Sequence, residues 1–104
     1  MVVPTAVKSA DALRDFNHIY AWIASGSDDA RAEVVLKRID EVALLLARRP
    51  RLGRRRLDFE GEPYCFSVPP WLIVYDPLPD ENGIIVLRIL DNRRDIAALI
   101  GKKT

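Results

Sequence analysis

The feature that most constrains this chain is a change of hydrophobic period across a run of arginines. Before the run, Ala32, Val35, Leu36, Ile39, Val42, Ala43 and Leu46 fall within an arc of about 120° when turned at 100° per residue, the core-facing side of a long helix. After it the helical period is gone. Tyr64 to Val68 alternates loosely, Leu72 to Tyr75 is a short β-prone run, and Ile84 to Leu90 is almost wholly apolar, as expected of a central strand covered on both faces. Helical period in one half and strand period in the other make this an α+β chain.

Local signals set the boundaries. Ser9 precedes an acidic first turn and caps a helix over about 9–25, with Leu13, Phe16, Ile19, Tyr20 and Ile23 as its stripe and Gly26 as its stop. Ser27 or Asp28 caps the second helix, which ends near Arg48 because Pro50 disfavours helical geometry at Arg49. The tight Gly-Ser turn between them predicts an antiparallel helical hairpin. Val2 to Val7 reads as a first strand, which Pro4 limits to an edge or an irregular start. Pro69-Pro70 and the stretch from Pro77 to Gly83 read as hairpin connections, and a last short helix, roughly Asp95 to Ile100, is closed by Gly101. The expected order is β-α-α-β-β-β-α in a single domain over 1–104. An N-terminal strand and a helical hairpin pack on a mainly antiparallel twisted sheet, with a short C-terminal helix.

Several function classes are excluded at this point. One cysteine, Cys65, allows no internal disulfide, and the chain lacks the paired Cys/His spacing of a zinc site, so no metal or cofactor is expected. No apolar run approaches the roughly 20 residues of a membrane span. The start shows no basic segment followed by an apolar one, so no signal peptide is read and a cytoplasmic location is the expectation.

Net charge is +1, but its distribution is uneven: twelve of the 16 cationic residues are arginines, and six of those lie between Arg48 and Arg56. Arg48, Arg49, Arg51, Arg54, Arg55 and Arg56 either form a basic lip for a partner or pair with the nearby acids Asp58, Glu60 and Glu62. Those acids blunt a positive field, so direct nucleic-acid binding is not expected. On the second helix Val34 and Leu45 project opposite the core stripe, beside Glu41. They form a partner surface for an amphipathic helix, or else helix one or a second copy covers them. His18 is expected to face solvent and Asp95 to cap the last helix.

The residues from Ser9 to Leu57 carry a resemblance. An S-x-x-A-x-x-D start is followed by I-Y-x-W-I-A, a long amphipathic helix and R-R-P-R-L-G-R-x-R. F-S-V-P-P-W-L-I-V-Y at 66–75, V-L-R-I-L at 86–90 and R-R-D-I at 93–96 complete the order. The chain resembles the ParE branch of the RelE/ParE toxins. The resemblance implies the toxin of a bacterial type II toxin–antitoxin pair, neutralised by an adjacently encoded ParD-like antitoxin. ParE-type members interfere with DNA gyrase, whereas RelE-type members cut messenger RNA on the ribosome. Two stretches depart from the family pattern: Pro63-Tyr64 stands where Arg is common, and Asp91-Asn92 where His-Gly is usual.

A RelE-type nuclease needs groups that move protons beside a phosphate. From Tyr64 to Tyr75 there is no Lys, Arg or His, and beyond Tyr75 no further Tyr or His. Arg54, Arg56, Arg88 and Arg94 could bind phosphate, but arginine is a poor proton shuttle. The residues thus argue against the nuclease, with no catalytic residues expected, and the resemblance implies a protein-binding gyrase poison. Antitoxin or target contact is assigned to Val34, Glu41, Leu45, Arg51, Arg54, Arg56, Trp71, Tyr75, Arg88, Arg93 and Arg94. The alternatives are a RelE-type messenger RNA interferase and a partner-binding scaffold without toxicity.

Overall fold

The computed structural model describes residues 3–102. Strand β1 (Thr5–Lys8) leads into helix α1 (Ala10–Gly26), helix α2 (Asp29–Arg48) and strand β2 (Arg54–Arg55), followed by β3 (Tyr64–Val68), β4 (Trp71–Pro77), β5 (Gly83–Asp91) and helix α3 (Ile96–Ile100). The five strands form one sheet in the order β1-β5-β4-β3-β2. All pairs are antiparallel except β1 with β5, which is parallel and places β1 at the sheet edge, where Pro4 fits. The expected first strand thus begins at Thr5; Val2 lies outside the described residues.

The caps are the ones the sequence signals. Ser9 Oγ accepts from the Ala12 N–H, and an Asp28 carboxylate oxygen accepts from the Arg31 N–H. Asp95 likewise caps α3, accepting from the Ala98 N–H. Gly26 is the last residue of α1 rather than the residue beyond it, and Ser27 takes the C-cap, donating its N–H to the Ile23 carbonyl.

The helical hairpin covers one face of the sheet. Leu36, Ile39, Val42 and Leu46 of α2 meet Ile73, Tyr75, Ile84, Val86 and Ile89 there. Each such side chain stabilises the fold by about 1.5–3 kcal/mol through removal from water. On α1 the inward residues are Ala12 and Ile19, with Phe16, Tyr20 and Ile23 partly buried against the cluster. Leu13 does not join them. It is 49% exposed, and the neighbouring Ala12, fully buried, takes the core position in that turn.

The opposite face carries a smaller core. Phe59, Cys65, Leu72, Val74 and Leu90 pack beneath Ile96, Ala97, Leu99 and Ile100. The α3 end is tied down by a bridge between Phe59 and Lys102 and by the Glu60 N–H donating to the Gly101 carbonyl. Burial on both faces explains why β4 and β5 read as continuous apolar runs.

Strand β2 was not expected. Its two arginines pair with Cys65 and Tyr64, so the arginine run enters the sheet as a minimal edge strand rather than lying wholly in a loop.

Candidate functional site: a partner-binding surface

Four features of the surface matter: the outer flank of α2, the arginine run, the tryptophan pair at one end of the hairpin, and the polar groups of β4 and β5.

On α2, positions 34, 38, 41 and 45 follow one another at helical spacing. Val34 is 68% exposed, Leu45 is also exposed, and Glu41 and Arg38 stand between them in solvent. Neither α1 nor any other described element covers this stripe. Leu44 adds a further exposed apolar side chain on the adjoining flank. Apolar surface left open on a charged helix suits a partner.

The arginine run divides. Arg51 reaches Glu81 in the β4–β5 connection (2.6 Å), Arg55 reaches Glu62 (3.1 Å), and Arg56 holds Asp58 through two contacts of 2.9 and 3.0 Å while its guanidinium lies over the Phe59 ring. The Arg56 hydrogen bonds pull the Asp58 carboxyl below its usual range. Arg48, Arg49 and Arg54 are exposed and make no ion pair among the described residues. Of the run's contact candidates, Arg54 is therefore the free one. Arg51 is held by an exposed pair of the kind that is worth little. Asp58 and Glu62 act as internal partners, as weighed from the sequence, whereas Glu81 was not foreseen.

Tyr75 and Arg88, both expected as contact residues, are engaged within the fold. Tyr75 is fully buried, stacked on Tyr64 with ring centroids 5.6 Å apart, and its hydroxyl accepts from the Gly53 N–H at 2.9 Å. It presents no surface to a partner and fixes the loop after α2 instead. The approach of Gly53, invisible in strand spacing, closes the hydroxyl off. Burial raises the Tyr75 pKa above the ordinary phenol value. Arg88 is likewise engaged: its Nε and Nη2 donate to Asp15 on α1 at 2.7 and 3.0 Å. The same carboxylate accepts from the Ile89 N–H at 3.0 Å. The cause is topological. Strand β1 stops opposite Val86, which leaves the β5 edge beyond it without a strand partner. Ser9 and Asp15 take over, Ser9 Oγ donating to the Leu87 carbonyl and Asp15 accepting from Ile89. The β4–β5 register shifts between Val74 and Tyr75, so Leu87 has no cross-strand partner and Arg88 beside it meets α1.

Arg93 is folded back on Asp91 through three contacts of 2.7 to 3.0 Å, two from its guanidinium and one from its N–H; these lower the Asp91 carboxyl to about 2. Arg94 remains exposed. Trp71 is buried, with one edge against Trp22 at a centroid distance of 6.4 Å and an interplanar angle of 89°. Trp22 itself is 64% exposed. It was missed because the α1 stripe reads inward; the signal available was that Trp22 lies outside that stripe and so had to project from it.

A described group of three or more His, Cys, Asp or Glu able to hold a metal ion does not occur, and no described helix is long and apolar enough to cross a membrane. Cys65 is buried, and burial pushes its thiol up to about 11.

The arrangement as a whole has relatives. Residues 7–96 match the family model of the ParE toxin of the type II toxin–antitoxin system parDE. The chain belongs to the ParE toxin family. Toxin ParE3 of Caulobacter vibrioides is 38% identical over 90 residues, which cover 86% of this chain and 88% of that protein. A solved chain of the chromosomal ParDE toxin–antitoxin system from P. aeruginosa superposes with a TM-score of 0.70, covering 88% of this chain and 96% of that one at 17% identity, which establishes a shared fold. The resemblance first carried by the 9–57 segment and the 66–75 and 86–96 pieces is therefore membership. On this ParE-type toxin the α2 flank, the arginine run and the tryptophan end are the candidate contact surfaces.

Proposed function

We propose that this ParE-family toxin acts by binding and poisoning DNA gyrase in the cytoplasm, without catalytic residues of its own, and is silenced by a ParD-like antitoxin encoded beside it. The observation that carries the non-catalytic part of this reading is the state of two polar groups on β4 and β5. The Tyr75 hydroxyl is committed to Gly53, and the Arg88 guanidinium to Asp15. A messenger RNA interferase built on Arg54, Arg56, Arg88 and Arg94 would have two of its four phosphate ligands already holding carboxylates. Nor would the Cys65 thiol serve as its proton shuttle, since that group is buried and its pKa raised.

The antitoxin part is supported by the open apolar stripe of Val34 and Leu45, which fits an amphipathic helix laid along α2. Induced expression in a bacterial host tests the reading. Growth arrest with filamentous cells, DNA-damage signalling and intact transcripts, reversed by co-expressing the neighbouring gene, is the expected result. Fragmented transcripts with undamaged DNA would point to the nuclease. Unimpaired growth would leave only a partner-binding scaffold.

A further inference from the structure

Three surface hollows meet at Trp71. One runs between Trp22, Arg31 and Pro70, a second between Val34, Arg38 and Pro69, and a third between His18, Trp22 and Arg94. The first two share Val35 and Pro70, and the first and third share Trp22, so they form one continuous apolar depression around the tryptophan pair. Trp22, standing edge-to-face against Trp71, forms its raised wall.

The charge around this depression is one-sided. Arg31, Arg38 and Arg94 stand at its rim, and none of them makes an ion pair among the described residues. No acid on or beside α2 lines these hollows: Asp28 caps the helix, accepting from the Arg31 N–H, Asp29 interacts with Tyr20, and Asp40 is held by Lys8 at 2.8 Å. Asp91 lines the third hollow, but its carboxylate is taken up by Arg93. Glu41 lies on the α2 stripe about one turn beyond Arg38, so the basic character is confined to the first half of α2.

We infer that this depression seats an acidic segment of the antitoxin that carries an apolar anchor, the anchor entering against Trp22 and Trp71 and the carboxylates meeting Arg31, Arg38 and Arg94. The inference rests on the antitoxin reading above and adds to it the place and chemistry of a contact apart from the Val34–Leu45 stripe. Two physical arguments support the choice. A rigid indole with most of its surface in water is the kind of residue that dominates binding energy once covered. Guanidinium groups with no internal partner favour carboxylates, with which they make charge-assisted hydrogen bonds.

The chain's two tryptophans both lie at the proposed contact, so its own fluorescence reports on it. In Trp71→Phe only Trp22 remains as the fluorophore. The probe is the product of the neighbouring open reading frame with any tryptophan of its own replaced by phenylalanine. Titration of this probe should shift Trp22 emission to the blue and protect it from acrylamide. Trp22→Ala should weaken binding roughly tenfold or more, the ordinary consequence of removing such an anchor. Arg31→Glu with Arg38→Glu should weaken it by a similar factor and flatten its salt dependence. Full binding with unchanged Trp22 emission, and Trp22→Ala as tight as the parent, would overturn the inference and leave the antitoxin reading standing. Absence of any binding by the probe would overturn both. Normal antitoxin binding by Trp22→Ala with lost gyrase inhibition would assign the depression to the target and also overturn the inference.

Discussion

Asp15 and Arg88, 73 residues apart, form a two-contact ion pair that joins the first turns of α1 to the open edge of β5. Asp15 is mostly buried, and the Arg88 guanidinium is itself partly covered. Because the same carboxylate also satisfies the Ile89 N–H, its loss leaves both a half-buried cation and a backbone donor without a partner. Asp15→Ala should therefore destabilise the fold by about 2–3 kcal/mol. Asp15→Asn, which keeps an acceptor for Ile89, should cost about half as much. Urea unfolding followed by circular dichroism checks the order. Equal losses for the two variants would mean that the backbone bond contributes nothing.

Gly53 and Tyr75 are matched in shape as well as in hydrogen bonding. A Cβ at position 53 would come within 2.5 Å of the Tyr75 Oη and 2.8 Å of the Cys65 carbonyl oxygen. Gly53→Ala should then cost about 1–3 kcal/mol through overpacking, and Tyr75→Phe about 1 kcal/mol for the lost acceptor. The double variant should be more stable than the sum of the two losses predicts, since removing the hydroxyl removes the closer clash. Rescue will be partial because the Cys65 carbonyl stays in place. Strict additivity in a double-mutant cycle would contradict the contact.

Cys65 makes the fold sensitive to alkali. Burial raises its thiol to about 11 against an ordinary value of 9.0, and the opposing pull of Arg56 is the smaller effect. A thiol raised in the folded state favours folding fully below the unfolded value, and that contribution is lost as pH rises from about 9 towards 11. Stability should fall over that window in the parent and less steeply in Cys65→Ala, as read by denaturant midpoints at several pH values. At neutral pH the thiol should resist alkylation until the protein is unfolded. Rapid labelling of the native chain would contradict its burial beneath α3.

What the sequence made legible follows from which interactions are local. The α2 stripe, the Ser9, Asp28 and Asp95 caps and the apolar β5 run all depend on neighbours within a few residues, and each appears where its pattern puts it. Strand β2 was illegible because two arginines become a strand only by pairing with Tyr64 and Cys65. Leu13 misled because the period places it near the inner face, whereas Ala12 takes the core position in that turn. At the site, exposure of the Val34 and Leu45 flank could be read from helical geometry. The commitments of Tyr75 to Gly53 and of Arg88 to Asp15 could not, since each joins residues brought together only by the tertiary fold.

The central claim is that this toxin disables gyrase by binding it. The most direct test adds the purified chain, stripped of antitoxin, to purified DNA gyrase and relaxed plasmid, and follows supercoiling over a concentration series. The account predicts dose-dependent loss of supercoiling, with cleaved plasmid accumulating and activity restored by the neighbouring gene's product. Undiminished supercoiling at saturating toxin, with messenger RNA cut on added ribosomes, would contradict it.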